Sequence, residues 1–166
     1  MITLLPVAPA HAAALQPLLE DPQVTGPTPL PYPYPPEGAR EFADRAVALR
    51  AAGTEYSYTI CEAGQPIGVT LLKEVDRVRG EAELGYWLGR PYWGGGRATI
   101  AAAATVAIAF DELGLMALRA ICLADHAASL RVLAKLGFTE SRRFQDHHPK
   151  WPEGRPHVEL RLARLR

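Results

Sequence analysis

Gly94, Gly95 and Gly96, followed by Arg97, Ala98 and Thr99, are the residues whose types and spacing point most directly to chemistry. They stand between a strand-like run, Glu81 to Leu88, and an alanine-rich helical run, Ile100 to Phe110. Amides with no side chain in front of them let a phosphate approach closely, and a helix start adds partial positive charge. Taken alone, the stretch reads either as a flexible turn or as a phosphate cradle. Neither a P-loop nor a dinucleotide fold accounts for it. No lysine is followed by serine or threonine, and no acidic residue closes a second parallel strand.

A second candidate lies on the preceding strand. Alternation puts Glu81, Glu83, Gly85 and Trp87 on one face, and carboxylates beside a glycine and an aromatic ring suggest a hollow. Glu83 is therefore a candidate general base, acting directly or through a water, unless it is simply a strand glutamate paired with an arginine. The segment Asp146-His147-His148-Pro149-Lys150-Trp151 carries two histidines, but adjacent residues point apart and no second cluster supports them. It reads as a loop between the last two strands that flanks the acceptor opening, and no metal is expected.

The elements that must position these groups follow from the apolar pattern. Ile2 to Pro6 reads as a strand and Pro9 to Leu19 as a helix. From Pro22 to Pro36 there are seven prolines, with Tyr32 and Tyr34 among them, so an extended, poorly hydrogen-bonded loop that shapes a pocket is expected. Glu37 to Ala52 is a second helix, ended by Gly53. Glu55 to Cys61, Pro66 to Lys73 and Glu81 to Leu88 form an antiparallel meander, with Glu74 to Gly80 as a hairpin turn. Ala98 to Leu113 is apolar almost all round and reads as one buried helix. Leu118 to Leu123 is a strand, Ala127 to Leu136 a helix, and Phe138 to Phe144 and His157 to Leu162 the last strands. The order is that of a mixed α/β chain.

With 166 residues, 48% apolar and 22% charged, the chain supports one hydrophobic core, so a single domain over residues 1–166 is expected. Basic and acidic residues number 18 each, which gives no global field for nucleic acid or an acidic membrane. Ile100 to Phe110 falls short of the roughly 20 residues of a membrane span, and Met1-Ile2-Thr3 lacks a basic signal-peptide start, so a cytoplasmic location is expected. Cys61 and Cys122 read as buried small apolar residues.

Three blocks together carry a family resemblance. Glu83-Leu84-Gly85-Tyr86-Trp87-Leu88, Tyr92-Trp93-Gly94-Gly95-Gly96-Arg97-Ala98-Thr99 and Asp125-His126-Ala127-Ala128-Ser129-Leu130-Arg131-Val132-Leu133-Ala134-Lys135-Leu136-Gly137-Phe138 resemble the GNAT acyl-CoA N-acyltransferases, in particular the RimJ/RimL-type branch. The resemblance is strong from Glu81 to Phe138 and loose over nearly all the rest. It implies an α/β (α+β) fold with a mainly antiparallel sheet of about seven strands, four main helices and a splay between strands 4 and 5. It also implies acetyl-CoA as cofactor, its pantetheine paired with backbone around Tyr86, Trp87 and Leu88. Amides from Gly94 to Thr99 would hold the pyrophosphate, with Arg97, and Arg131 or Lys135, reaching the outer phosphates.

Two positions depart from the family pattern. Gly95 stands where lysine or arginine is frequent, which removes a charge and leaves the amide. His126 stands where asparagine is frequent; it either hydrogen-bonds the pantetheine or is a surface histidine before a helix. Ser129 matches the family's serine near the CoA sulfur, where it would meet the leaving thiolate; alternatively it joins Asp125 in satisfying free helix amides. Tyr32, Tyr34, Glu83 and Trp87 would line the acceptor pocket.

The acceptor must lose a proton before it attacks. At pH 7 that costs roughly 4 to 5 kcal/mol for a lysine but about 1 for an α-amine. A protein or peptide N-terminus is the first expectation, a small-molecule amine the second, and a non-catalytic acyl-CoA-binding module the third. A homodimer through sheet edges or the C-terminal strands is a further expectation.

Overall fold

The computed structural model describes residues 1–166. Strand β1 (Ile2–Pro6) leads through a 3-10 turn, Pro9–His11, into helix α1 (Ala12–Leu19). The proline-rich stretch is not extended throughout, because α2 (Pro22–Thr25) forms inside it. Pro22 sits at the first helical position, where its preset φ helps and its missing N–H is no loss, and Asp21 caps the turn by accepting from the Gln23 amide at 3.0 Å.

Helix α3 (Gly38–Ala52) ends at Gly53 in the left-handed conformation, as its sequence predicts. Strands β2 (Tyr56–Glu62), β3 (Gln65–Asp76) and β4 (Glu81–Leu88) form the meander. β3 runs three residues beyond its expected end. Glu74, at φ 49°, makes a bulge there that lets pairing resume at Asp76.

The expected single helix from Ala98 to Leu113 is divided. α4 (Arg97–Ala107) passes into a π-helical turn, Ile108–Glu112, in which the Leu113 amide donates to the Ile108 carbonyl at 3.0 Å. β5 (Ala117–Leu123), α5 (Ala127–Lys135), β6 (Thr139–Asp146) and β7 (Arg155–Ala163) complete the chain.

The seven strands form one sheet in the order β1-β2-β3-β4-β5-β7-β6. Every pair is antiparallel except β4 with β5, which pair in parallel over only Glu81↔Ala117, Ala82↔Leu118 and Glu83↔Arg119. Beyond Glu83 the two strands part.

On one face, Ala102, Ala109 and Leu133 of the α4–α5 layer bury Leu84, Leu118, Val158 and Leu160. The alanines let α4 approach closely, and the Thr70 and Thr105 hydroxyls meet at 2.9 Å, with Thr105 also donating to the Ala101 carbonyl. On the other face, α1 and α3 pack on β3 and β2 through Leu15, Leu19, Ala39 and Val69. Over β5, β7 and β6 that face carries ion pairs, among them Arg161–Glu81 at 3.1 Å, Arg119–Glu83 at 3.6 Å and Arg142–Glu159.

Gly68 of β3 lies opposite Leu88, where a Cβ would sit 2.3 Å from the Trp87 carbonyl oxygen. Gly68→Ala is expected to force β3 and β4 apart beside the splay. A loss of about 1–3 kcal/mol, read from the urea midpoint, is the expected outcome; an unchanged midpoint would show that the strands separate freely.

Candidate active site

After Leu88 the chain makes a 3-10 turn, Arg90–Tyr92, and enters the three glycines with φ of 78°, 66° and 76°. Three successive left-handed residues are accessible without strain only to glycine. Gly96 then stands at the start of α4 with no side chain to cap it, so the amides of Arg97, Ala98 and Thr99 keep no partner within the helix. They open onto a cavity of about 700 Å³.

Gly94 and Gly96 line that cavity and Gly95 does not. The Arg97 side chain also borders it, but Nε donates to both oxygens of Glu62 at 3.0 Å, so its charge is already matched. Arg131 and Lys135 of α5 reach the same cavity without a carboxylate partner. Tyr86, Trp87 and Leu88 form its β4 wall. Leu88 departs from expectation in one respect: its carbonyl already accepts from the Trp93 indole N–H at 2.8 Å.

A second cavity, of about 550 Å³, takes in every β4 residue from Glu83 to Trp87, so it wraps the strand at the splay: Glu83, Gly85 and Trp87 line it together with Leu84 and Tyr86 of the other face, and Glu81 does not. Glu83 is nonetheless 8% exposed and paired, with Lys73 at 3.3 Å and Arg119 at 3.6 Å. The structure thus shows the paired glutamate rather than a free base.

Tyr34 lines this cavity while packing on Gly38 of α3, where an added Cβ would lie 2.6 Å from the ring, and burial pushes its phenol pKa up. Tyr32 lines neither cavity and is 57% exposed.

The two cavities share Pro27 and Thr28 of the proline-rich loop and Tyr86, Trp87, His126 and Ser129. At this junction the Tyr86 hydroxyl lies 3.0 Å from Ser129 Oγ and also donates to the Ser129 carbonyl at 3.3 Å. Burial raises the Tyr86 pKa to about 12 against the opposing pull of the Ser129 hydrogen bond, so the phenol is a neutral donor. Ser129 does not cap α5, and Asp125 faces Arg155 at 3.7 Å instead.

Burial lowers the pKa of His126, with Asp125 opposing, so the junction imidazole is neutral at pH 7. Cys122 is half-buried rather than buried and also lines the second cavity; desolvation raises its thiol pKa, with Ser129 acting the other way.

Lys150 pins the loop that borders both cavities. Its Nζ donates to the carbonyls of Thr25 at 2.6 Å, Thr28 at 2.9 Å and Leu30 at 2.5 Å, which ties the β6–β7 loop to the proline-rich loop. Burial, and secondly Arg155, pull its pKa down, while three carbonyl oxygens favour the ammonium.

Asp146, where the segment expected to flank the acceptor opening begins, lines this cavity, whereas Arg142, Phe144 and His157 beside it were missed by sequence reasoning. The alternation that exposed Glu81 and Glu83 also places His157, Glu159 and Arg161 on one face of β7, and was the available signal.

The acetyltransferase (GNAT) domain family matches residues 2–139. The chain belongs to the GNAT acetyltransferases. Over 101 residues this GNAT chain is 28% identical to the uncharacterized N-acetyltransferase p20 of Bacillus licheniformis, a match covering 61% of the chain and 57% of p20. Over 112 residues it is 32% identical to YdaF of Bacillus subtilis (strain 168), provisionally named a ribosomal N-acetyltransferase, covering 67% and 56%. The chain therefore spans little more than half the length of these relatives.

Among solved structures, the RimL ribosomal L7/L12 α-N-protein acetyltransferase in complex with CoA superposes with a TM-score of 0.84 at 18% identity, over 98% of this chain and 93% of that one. Spermidine N-acetyltransferase from Vibrio cholerae, in complex with CoA and spermine, gives 0.84 at 14% identity, over 98% and 95%. At such identities these likenesses establish the GNAT fold.

Two expected outcomes follow from the electrostatics of this GNAT site. Because folding depresses the His126 pKa, its contribution is present above the ordinary value of 6.5 and is lost as pH falls toward the lower folded value. His126→Asn should therefore flatten the acid-side fall in melting temperature between about pH 7 and 5. Lys150→Met should cost about 1–3 kcal/mol and speed proteolysis within the proline-rich loop, with mass spectrometry locating the cuts.

Proposed function

We propose that this chain moves an acetyl group from acetyl-CoA to a primary amine, most simply the α-amine of a protein or peptide. The observation that carries this reading is the meeting of two cavities at Tyr86 and Ser129. One offers unpaired helix-start amides and two unpaired cations, which suits pyrophosphate and the outer phosphate. In the other, Lys73 and Arg142 are matched by Glu83 and Glu159, which leaves the Asp146 carboxylate and the aromatic rings of Tyr34, Trp87 and Phe144 to suit a cationic amine.

In the proposed ternary complex the amine attacks the thioester carbonyl directly. The C–N bond forms, the C–S bond breaks, and the thiolate leaves beside Ser129 Oγ. Ser129 is oriented by the Tyr86 phenol, which the raised pKa keeps protonated. A hydroxyl aimed there stabilises developing negative charge and passes on a proton.

RimL's name supports a peptide acceptor by analogy, and the uncovered charged face over β5, β7 and β6 leaves room for a peptide to continue out of the cavity. A small amine is the second reading. It is favoured by the proline-rich loop, whose Pro29, Leu30, Pro31 and Tyr34 wall one side of the cavity and which Lys150 holds in place.

Calorimetry with acetyl-CoA, followed by thiol release against peptides and small amines, tests these readings. Wild type is expected to bind acetyl-CoA and to release thiol with peptides that begin in small residues. Turnover confined to polyamines or amino acids would sink the peptide reading, and binding without thiol release for any acceptor would leave a binding module. Ser129→Ala should lower kcat by about 10²-fold with donor affinity unchanged.

A further inference from the structure

Around the second cavity, Glu83 has its charge matched by Lys73 and Arg119, but His157 keeps a ring nitrogen unused. It lies on β7 between Leu123 of β5 and Phe144 of β6 and is 5% exposed. Nδ1 stands 2.7 Å from the Arg155 carbonyl oxygen. A carbonyl only accepts, so Nδ1 carries the proton and the neutral ring holds its lone pair on Nε2. Phe144 stacks on the imidazole at 5.7 Å and Trp151 tilts against it at 5.2 Å, which fixes the plane of the ring.

Nε2 faces Oδ2 of Asp146 across 3.9 Å, too far for a hydrogen bond, and both residues line the cavity. No fully buried side-chain nitrogen or oxygen lacks a partner. Nε2, which makes no hydrogen bond, therefore opens onto the cavity that Ser129 borders from the other side.

We propose that His157 is the general base for the acceptor, with Asp146 receiving the substrate ammonium and then steadying the imidazolium. The inference rests on the acetyltransferase reading above. The ammonium gives one proton to Nε2, and the free amine attacks the acetyl carbonyl. As the C–S bond breaks, the second proton leaves the new C–N nitrogen and ends on the thiolate. The products are amide and CoA thiol, and the imidazolium returns its proton to solvent.

An α-ammonium gives up its proton far more readily than a lysine ammonium, so an imidazole base suits an N-terminal acceptor better than a lysine. The charged and titratable groups around the ring are Asp146 on β6, Arg155 beside it on β7, and Glu159 with its partner Arg142. Behind Trp151 lie His148 and Lys150, and Asp125 faces Arg155.

The test is thiol release from acetyl-CoA with an alanine-first hexapeptide, from about pH 6 to 9.5, for wild type, His157→Asn and Asp146→Asn. Asparagine keeps a donor for the Arg155 carbonyl but supplies no base. At pH 7 His157→Asn is expected to lose about 10²-fold in kcat/KM, with melting temperature and acetyl-CoA affinity retained. The deficit should shrink to within about tenfold near pH 9.5, where the peptide arrives as free amine. Asp146→Asn, at a partly exposed position, should show a smaller loss with the same pH trend.

A His157→Asn rate near wild type, or a loss equal at every pH, overturns the proposal. Should His157→Asn fail to fold, a pH-independent loss or no loss in Asp146→Asn overturns it equally. Wild type that turns over no amine at all instead overturns the acetyltransferase reading beneath it.

Discussion

The parting of β4 from β5 after the Glu83–Arg119 pair is the constraint on which the rest of the molecule depends. Parallel pairing holds for three residue pairs and then stops, although β4 continues to Leu88 and β5 to Leu123. Backbone groups released in this way must find other partners or face solvent. The Trp93 indole takes the Leu88 carbonyl, and the opening that remains is the junction where the two cavities meet. An ion pair stands at the last paired position, so the Glu83 carboxylate marks where the sheet opens.

Packing on the two faces explains why the opening survives. Behind it, Leu84, Leu118, Val158 and Leu160 are clamped to α4 and α5 by an apolar cluster, so the gap is held by a rigid base and does not close by sliding. In front, α1 and α3 cover only the β2–β3 half, and the remaining strands carry charged side chains in opposed pairs. Charges that neutralise one another in this way line a cavity without collapsing it. They also leave few side chains there with unspent lone pairs.

Local pattern made much of the fold legible. β4 runs over the expected Glu81–Leu88, and Gly53 and Gly137 follow their helices in positive-φ conformations. Of the helix expected to be buried all round, only the face of Ala101, Ala102 and Thr105 meets the sheet, while Ile100, Ala103, Ala104 and Ala107 are exposed. The failures have particular causes. Pro22 read as a breaker because only the preceding Asp21 cap turns it into a helix start. The bulge at Glu74 and the π-helical turn after Ala107 are single-residue irregularities with no compositional mark. The acceptor wall was hidden more deeply, because the order β5-β7-β6 brings Asp146 and His157 beside β4 chemistry from more than fifty residues away. Tyr32 and Tyr34 have the same flanking residues and differ only in which way the loop turns them.

The donor end shows how the two departures from the family pattern fit one arrangement. At Gly95, a Cβ would meet the Arg97 guanidinium at 3.1 Å, and Arg97 is held by Glu62, so this turn presents amides and little free charge. The cations without partners are Arg131 and Lys135, on the opposite wall and on the same helix as Ser129. In the proposed complex the turn would supply geometry and α5 would supply charge. His126, neutral through burial, adds no further positive charge at the N-terminal end of α5, close to the reacting carbonyl. Division of the phosphate contacts between α4 and α5 would couple donor seating to the same helix that carries the Ser129 hydroxyl, which Tyr86 already holds in place.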